Sequence, residues 1–118
     1  MLINQKDLLI ETTEETTKIC QGVRSDGNGG YEMVHVDRDA WMIETVNNTS
    51  EEGYISFKRA PATTGEPSFT VLFHFDKDGN QYMGDPDTNG TVRLTNNAGV
   101  FEVYVREAGV YNLKGGFG

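Results

Sequence analysis

The chain has 118 residues, 36% of them hydrophobic and 14 of them glycine, and it carries a formal net charge of −8 at pH 7. This length suits a single domain over residues 1–118, and the acidic balance argues against nucleic acid or an anionic membrane surface as a partner, because both would repel the chain. The single cysteine, Cys20, excludes an internal disulfide, and no apolar stretch reaches the length of a signal peptide or a membrane span, so we expect synthesis in the cytoplasm.

The first third of the chain is predicted to form short strands separated by polar turns. Residues 12–17 have no apolar periodicity, which indicates a solvated loop or sheet edge. Ile19 and Val23 then mark a strand, and a turn-forming cluster over residues 25–30 separates it from an alternating segment over residues 31–36. We interpret the two segments as a hairpin.

Residues 37–46 fit either a short helix or a strand. An aspartate at the start of the segment could cap a helix that carries Trp41. However, Trp41, Ile43 and Thr45 also alternate as the residues of a strand do, and we prefer the strand. A polar connection over residues 47–53 follows it.

The clearest strand lies in the middle of the chain, over residues 68–75. Its alternation places four large side chains on one side, which predicts a core face made of Phe69, Val71, Phe73 and Phe75. Residues 76–80 then form a turn signal, because glycine and asparagine tolerate the positive φ of tight turns. We therefore predict a central hairpin that continues to Met83.

Two more alternating segments, residues 91–95 and 100–106, are separated by a turn signal at residues 96–99, and a last short run covers residues 110–113. In all, about seven to nine short strands are separated by turn signals at roughly 8 to 12 residue intervals. This pattern predicts an all-β fold, a single antiparallel β-sandwich or jelly roll.

One short segment resembles a known family. Residues 107–111 resemble the segment before a late strand of immunoglobulin-like sandwiches, in which the tyrosine hydroxyl bonds back to the nearby backbone. The resemblance implies that role for Tyr111. The sequence departs from the family pattern at Leu113, where a cysteine would be expected, so the strand topology stays open.

An acidic loop is the best candidate for metal binding. Asp85, Asp87 and Asn89 occupy the first, third and fifth positions of a loop with Gly90 at the sixth, as in calcium-binding loops of the EF-hand type. Asn96 stands at the twelfth position, where such a loop has a bidentate glutamate. The alternative is an Asp/Asn/Gly turn that needs no metal.

Aromatic residues offer a second kind of site. Five aromatic side chains could form a flat platform for sugar rings, and aspartate and asparagine side chains would then bind the sugar hydroxyls. These aromatic residues are Trp41, Tyr31, Tyr54, Tyr82 and Tyr104. The alternative is that each ring packs on the core. A carbohydrate-binding β-sandwich, with calcium as a stabilising ion, is therefore the second functional hypothesis.

The sequence offers little for catalysis. His35 and His74 are the only histidines, and each lies in a predicted strand beside apolar neighbours. No serine or cysteine in the chain has the surroundings of a known nucleophile motif, and we predict that the protein is not an enzyme.

The overall character of the chain, a compact, acidic, cysteine-poor β-domain with polar loops, resembles the small accessory proteins of tailed-bacteriophage virions. The resemblance implies a capsid decoration, tail or baseplate component that self-associates or docks on other protein subunits through loops and sheet edges. The candidate contact segments are residues 12–17 and residues 61–67, the second of which includes Pro61, Thr63, Thr64 and Glu66.

Overall fold

The computed structural model describes residues 1–47 and 53–118. Most of the polar connection predicted at residues 47–53 thus lies outside the described residues. Within them the chain forms twelve β-strands, all paired antiparallel, and no helix. The predicted all-β antiparallel fold is confirmed, with more strands than the seven to nine that the sequence indicated.

The strands are β1 Leu2–Gln5, β2 Leu8–Thr12, β3 Thr16–Gln21, β4 Val23–Ser25, β5 Tyr31–Met33, β6 Ala40–Val46, β7 Tyr54–Ala60, β8 Thr70–Asp76, β9 Gln81–Met83, β10 Val92–Asn97, β11 Val100–Glu107 and β12 Val110–Phe117. Ten of them form one sheet in the order β1-β2-β3-β6-β7-β8-β9-β10-β11-β12, and β4 and β5 form a separate two-stranded sheet. The large sheet is thus a meander into which one hairpin is inserted after β3.

The molecule is a slab of 47 × 31 × 23 Å. Its longest dimension matches ten strands side by side, since neighbouring strands lie about 4.8 Å apart. Tight turns make this regular meander possible. At the turn between β11 and β12, for example, Ala108 and Gly109 both have positive φ, 51° and 80°, as a two-residue hairpin turn requires.

The buried core lies between the large sheet and the inserted hairpin. Leu9, Cys20 and Met42 are cross-strand neighbours on one side of β2, β3 and β6, and Val23 and Met33 of the hairpin pack on them. We call this side of the large sheet the hairpin face. The two sheets therefore form two layers, of which the second covers only part of the first.

The central strand differs from its prediction because it contains a β-bulge. Phe57 pairs with Phe73, but the next residue, Lys58, pairs with Val71, so Leu72 is an extra residue in β8. The bulge reverses the sides on which the flanking residues lie. Phe73 and Phe75 lie on one face of the sheet, Val71 lies on the other, and Phe69 packs against the core of the hairpin face. The predicted single core face of four residues is therefore wrong.

Of two other local predictions, one is confirmed and one holds only in part. The ambiguous segment at residues 37–46 is a strand, β6, as we preferred. The alternating segment predicted at residues 31–36 ends at Met33, and His35 lies in the loop that follows, with its Nε2 atom 3.1 Å from Oδ1 of Asp7.

Candidate interaction surface

The side of the large sheet opposite the hairpin face carries an uncovered set of large apolar side chains. The strand pairing aligns Ile19, Ile43, Phe57, Phe73 and Met83 directly opposite one another across five consecutive strands. We call this side the apolar face. Its exposed large residues, each between 37% and 68% exposed, are Leu8, Ile19, Trp41, Ile43, Ile55, Phe57, Leu72, Phe73, Met83, Phe101, Val110 and Phe117.

The apolar face is also free of charge over its central part. One cross-strand row consists of Ile10, Ile19, Ile43, Phe57, Phe73, Met83, Val92 and Val105. The adjacent row consists of Thr12, Thr17, Thr45, Ile55, Phe75, Gln81, Leu94 and Val103. Neither row contains a charged residue, although 24% of the chain is charged. Exposed apolar patches of this extent mark interaction sites in soluble proteins.

The N-terminal half of the apolar face is concave. It forms an open groove of about 850 Å³, whose apolar wall includes Ile19, Trp41, Ile43, Phe57 and Phe73. Three charged residues also line the groove, Lys6 and Asp7 from the turn between β1 and β2 and Lys58 from β7. On the apolar face itself, the charged residue next to the groove is Arg59, opposite Trp41. Its Nε atom is 2.7 Å from Oδ2 of Asp39, so this charge is already neutralised within the chain.

The hairpin face, in contrast, buries charge. Glu44 is 7% exposed, and its carboxylate lies 2.9 Å from the Lys58 ammonium and 3.8 Å from that of Lys18. The Tyr54 hydroxyl donates a hydrogen bond to the same carboxylate, at 3.1 Å. Burial raises the pKa of Glu44, but Lys58, Tyr54 and Lys18 outweigh burial and hold the pKa below its ordinary value. A fixed negative charge is therefore part of the interior.

Beyond the hairpin, the C-terminal part of this face is covered by its own aromatic side chains. His74 lies between Tyr54 and Tyr82, with ring centroids 4.6 and 5.6 Å away. Tyr82 contacts Tyr111 edge to face at 5.8 Å. The Arg93 guanidinium lies 4.2 Å from the ring of Tyr104 and 4.8 Å from that of Tyr111. We call this set the aromatic row: Tyr54, His74, Tyr82, Arg93, Tyr104 and Tyr111.

One pair within this region has the geometry of a nucleophile and its base. Nδ1 of His74 is 2.6 Å from Oγ of Ser56, and burial lowers the pKa of His74 below its ordinary value. Ser56, however, is only 1% exposed. A substrate therefore has no access to the hydroxyl in this structure, and the pair joins β7 to β8.

The structure does not bring the predicted sugar-binding residues together. Trp41 lies on the apolar face, whereas Tyr54 and Tyr82 lie in the aromatic row on the hairpin face. Tyr82 is 9% exposed and its hydroxyl donates a hydrogen bond to Asp76 at 3.0 Å. Tyr104 also lies in the aromatic row, and Tyr31 lies in β5 of the inserted hairpin. The predicted platform of five aromatic residues is thus split between the two sides of the sheet.

The predicted calcium ligands lie in the loop between β9 and β10, where they stabilise the backbone. Oδ1 of Asp85 accepts a hydrogen bond from the Asp87 N–H at 2.8 Å. Oδ1 of Asn89 accepts hydrogen bonds from the Arg106 guanidinium and the Gly109 N–H, both at 3.0 Å. A calcium ion on Asn89 would meet the positive charge of Arg106. Among residues 1–47 and 53–118, no three His, Cys, Asp or Glu side chains lie close enough to hold a metal ion.

Tyr111 shows how far the resemblance to immunoglobulin-like corners extends. Its hydroxyl donates a hydrogen bond to a backbone carbonyl at 2.7 Å, as the resemblance implies. The acceptor is Pro86, however, in the loop between β9 and β10, and residues 107–110 form the tight turn of the last hairpin. The tyrosine therefore joins this hairpin to the loop that holds Asp85.

The loop between β7 and β8 contains the predicted contact residues Pro61, Thr63, Thr64 and Glu66. Pro61, Thr64 and Glu66 are exposed, and Thr63 is half-buried with its hydroxyl accepting the Gly65 N–H. The loop is anchored at both ends, since the Ala62 N–H donates to Asp39 and Pro67 is buried. Glu66 lies beside Gly30 in the turn of the inserted hairpin, and none of the four residues lines the groove of the apolar face.

The second predicted contact segment, residues 12–17, contains the ends of two strands and the turn between them. Thr12 ends β2 and Thr16 begins β3, and between them the Thr13 hydroxyl accepts N–H groups of Glu15 and Thr16. The segment is thus the turn of a hairpin within the large sheet.

The apolar face itself was missed in the sequence. Its members were recognised as apolar strand residues, but alternation identifies two faces without showing which of them a second layer covers. The sequence carries no signal that reveals it: Glu44 is charged and yet buried, whereas its apolar neighbour Ile43 is exposed.

Comparison of the chain with protein-family models, with curated proteins and with solved structures found no match. Within the described ranges, no helix is long and apolar enough to cross a membrane.

Proposed function

We propose that the chain is a non-enzymatic structural subunit of a larger protein assembly, in which the apolar face is buried against protein. The observation that carries the proposal is this face, with Ile43, Phe57 and Phe73 each 37% to 45% exposed in a continuous uncharged surface. Leaving such a surface in water costs free energy in proportion to its area, and burying it against protein recovers that free energy.

The polar groups of the chain support an assembling role over a catalytic one. Glu44, His74 and Asp76, three ionisable residues with lowered pKa values, contact residues of neighbouring strands or of the adjoining turn. In each case the contacts are those that hold a sheet together. The apolar face, in contrast, is left uncovered by the residues that the structure describes.

The setting we propose is the virion of a tailed bacteriophage, with the chain as a capsid decoration, tail or baseplate component. The overall character of the sequence suggests this setting, and an assembly of that kind provides protein surface to cover the apolar face. Synthesis in the cytoplasm and partners that are protein subunits accord with it.

The experiment is sedimentation of particles from the cells that make this chain. We compare the unaltered chain with Phe57→Lys on the apolar face and with Leu113→Lys, a matched control at a 55% exposed position on the opposite side of the sheet. The unaltered chain and the control should sediment with phage particles, and Phe57→Lys should stay in the supernatant. An unaltered chain that never sediments, or a Phe57→Lys chain that sediments equally well, would overturn the proposal.

A further inference from the structure

We infer that the apolar face is covered by a second copy of this chain, packed face to face about a two-fold axis. The inference rests on the proposed function and identifies the partner. The pair would be a β-sandwich whose two main layers come from two chains.

The first argument is the missing layer. A sheet with one apolar face is stable when a second layer of helices or strands covers that face. The inserted hairpin, β4 and β5, packs on the other side, through Val23 and Met33. Among the residues that the structure describes, none forms a layer over Ile43, Phe57 and Phe73. The missing layer must therefore come from outside this part of the chain.

The second argument is area. The broad side of the slab measures 47 × 31 Å, a footprint on the order of 1,400 Å², whereas a standard stable interface needs about 800 Å² per partner. A second large sheet of the same dimensions is the simplest partner that covers the whole face. Two sheets in face-to-face contact pack about 10 Å apart, with their side chains interdigitated.

The third argument is charge. The chain carries a net charge of −8, so two copies repel each other at most orientations. The two central rows of the apolar face contain no charge, and a contact through them keeps the acidic groups of both copies away from the interface. These two rows therefore offer none of the complementary charges that steer and orient a foreign partner. A surface that is uniform and uncharged across many strands is complementary to itself, as a two-fold interface requires.

The geometry also identifies the centre of the interface. Phe57 and Phe73 pair with each other on β7 and β8, the fifth and sixth of the ten strands. In a two-fold arrangement centred on the face, the residues nearest the axis meet their own copies. Phe57 should therefore lie close to Phe57 of the second copy.

The first test measures molar mass by light scattering on the purified chain over a range of concentrations. The unaltered chain should have twice the single-chain mass of 13.1 kDa. Phe57→Lys should raise the dissociation constant by about 100-fold or more, because it buries an unpaired charge at the centre of the interface. Leu113→Lys should leave the mass doubled. A single-chain mass at all concentrations, a three-chain mass, or a dimer unaffected by Phe57→Lys would overturn the inference.

A second variant guards against a lysine that disturbs folding. Phe57→Cys should form a disulfide-linked dimer under mild oxidation, whereas Leu113→Cys at the matched position should not. The unaltered chain is the background control, since Cys20 is 1% exposed and burial raises its pKa to about 11, which keeps the thiol unreactive. Equal cross-linking of the two variants would contradict the inference.

The two proposals can fail separately. A purified chain that stays monomeric but sediments with particles through Phe57 would retain the structural role and exclude the second copy as the partner. A chain that dimerises through Phe57 but never joins a particle would retain the dimer and exclude the role in an assembly.

Discussion

The two faces of the large sheet show an inverted distribution of polarity. Ile43 and Glu44 are neighbours in β6 and lie on opposite faces, yet the isoleucine is 39% exposed and the glutamate only 7%. The hairpin face likewise buries Ser56 and Glu102, whereas the apolar face exposes Phe73. Exposed hydrophobic residues are common individually, but a buried charge opposite an exposed apolar surface is not.

The difference between the faces separates the interactions that stabilise the single chain from those that we expect to form only with a partner. On the hairpin face, a small core and an electrostatic network are complete within one chain, through Leu9, Met42 and Glu44. On the apolar face, Ile43 and Phe57 are aligned but uncovered. Substitutions on the first face should therefore alter the stability of the chain, and substitutions on the second should mainly alter association.

The largest expected effect comes from two adjacent leucines on opposite faces. Leu9 is 0% exposed in the core of the hairpin face, and Leu8 is 43% exposed at the margin of the apolar face. Leu9→Ala should lower the free energy of unfolding by about 3 kcal/mol, because it leaves a cavity beneath the hairpin. Leu8→Ala, the matched control, should lower it by less than about 1 kcal/mol. Urea denaturation at low protein concentration measures both.

The comparison between the faces would fail if Leu8→Ala destabilised the dilute chain as much as Leu9→Ala. Such a result would mean that the apolar face is covered within the single chain. If instead the loss for Leu8→Ala grows with protein concentration, the margin of the face takes part in association, because stability gained from association depends on concentration.

A smaller effect is expected from the buried charge. Glu44→Gln should lower the free energy of unfolding by about 2 kcal/mol at pH 7, because Lys58 and Lys18 then lack a charged partner. The folded pKa of Glu44 is lowered, so its contribution is complete above the unfolded value of about 4.3 and is lost as the pH falls through the folded pKa. The difference between the two proteins should therefore shrink in acid. Chemical denaturation between pH 7 and pH 3 tests this.

The control is Glu14→Gln, at an exposed position in the turn between β2 and β3. It should change stability little at any pH. A Glu44→Gln difference that stays constant down to pH 3 would show that shape and hydrogen bonding, and not the charge, are what matter at this position.

The sequence was sufficient for the fold class because turns and alternation are local properties. The turn signal at residues 76–80, for instance, is the turn between β8 and β9, in which Gly79 has a φ of 82° and Asp76 accepts the N–H groups of Asp78 and Asn80. Strand β6 could likewise be inferred from the spacing of Trp41 and Ile43. These outcomes depend on a few consecutive residues and need no tertiary contact.

The faces could not be predicted, because they depend on register. The extra residue Leu72 separates Val71 from Phe73 onto opposite sides, and only the pairing with β7 reveals it. The same limitation misplaced the predicted sugar platform, since Trp41 and Tyr54 lie on adjacent strands but on opposite faces. The location of the inserted hairpin, which decides which face is buried, is a long-range property.

The smallest effect expected concerns His74, in the aromatic row of the hairpin face. Burial lowers its pKa, so the unfolded chain, with a histidine pKa of about 6.5, binds a proton more readily than the folded one. The stabilisation is complete above the unfolded pKa and is lost as the pH falls toward the folded pKa. The free energy of unfolding of the unaltered chain should therefore decline from pH 7.5 to pH 5.5, by less than the loss expected for Glu44→Gln.

His74→Asn should remove this decline while keeping a polar atom near Oγ of Ser56, where Nδ1 of the histidine now lies at 2.6 Å. His35→Gln is the matched control, since that histidine lies in the loop after β5, outside the aromatic row and beside Asp7. The contribution of His74 to the pH dependence should persist in this variant. Thermal or urea denaturation at several pH values distinguishes the two variants. If His74→Asn retained the full decline, other groups would cause it and burial of His74 would contribute nothing to the pH dependence. The electrostatic contrast between the faces would then be confined to the part under the hairpin.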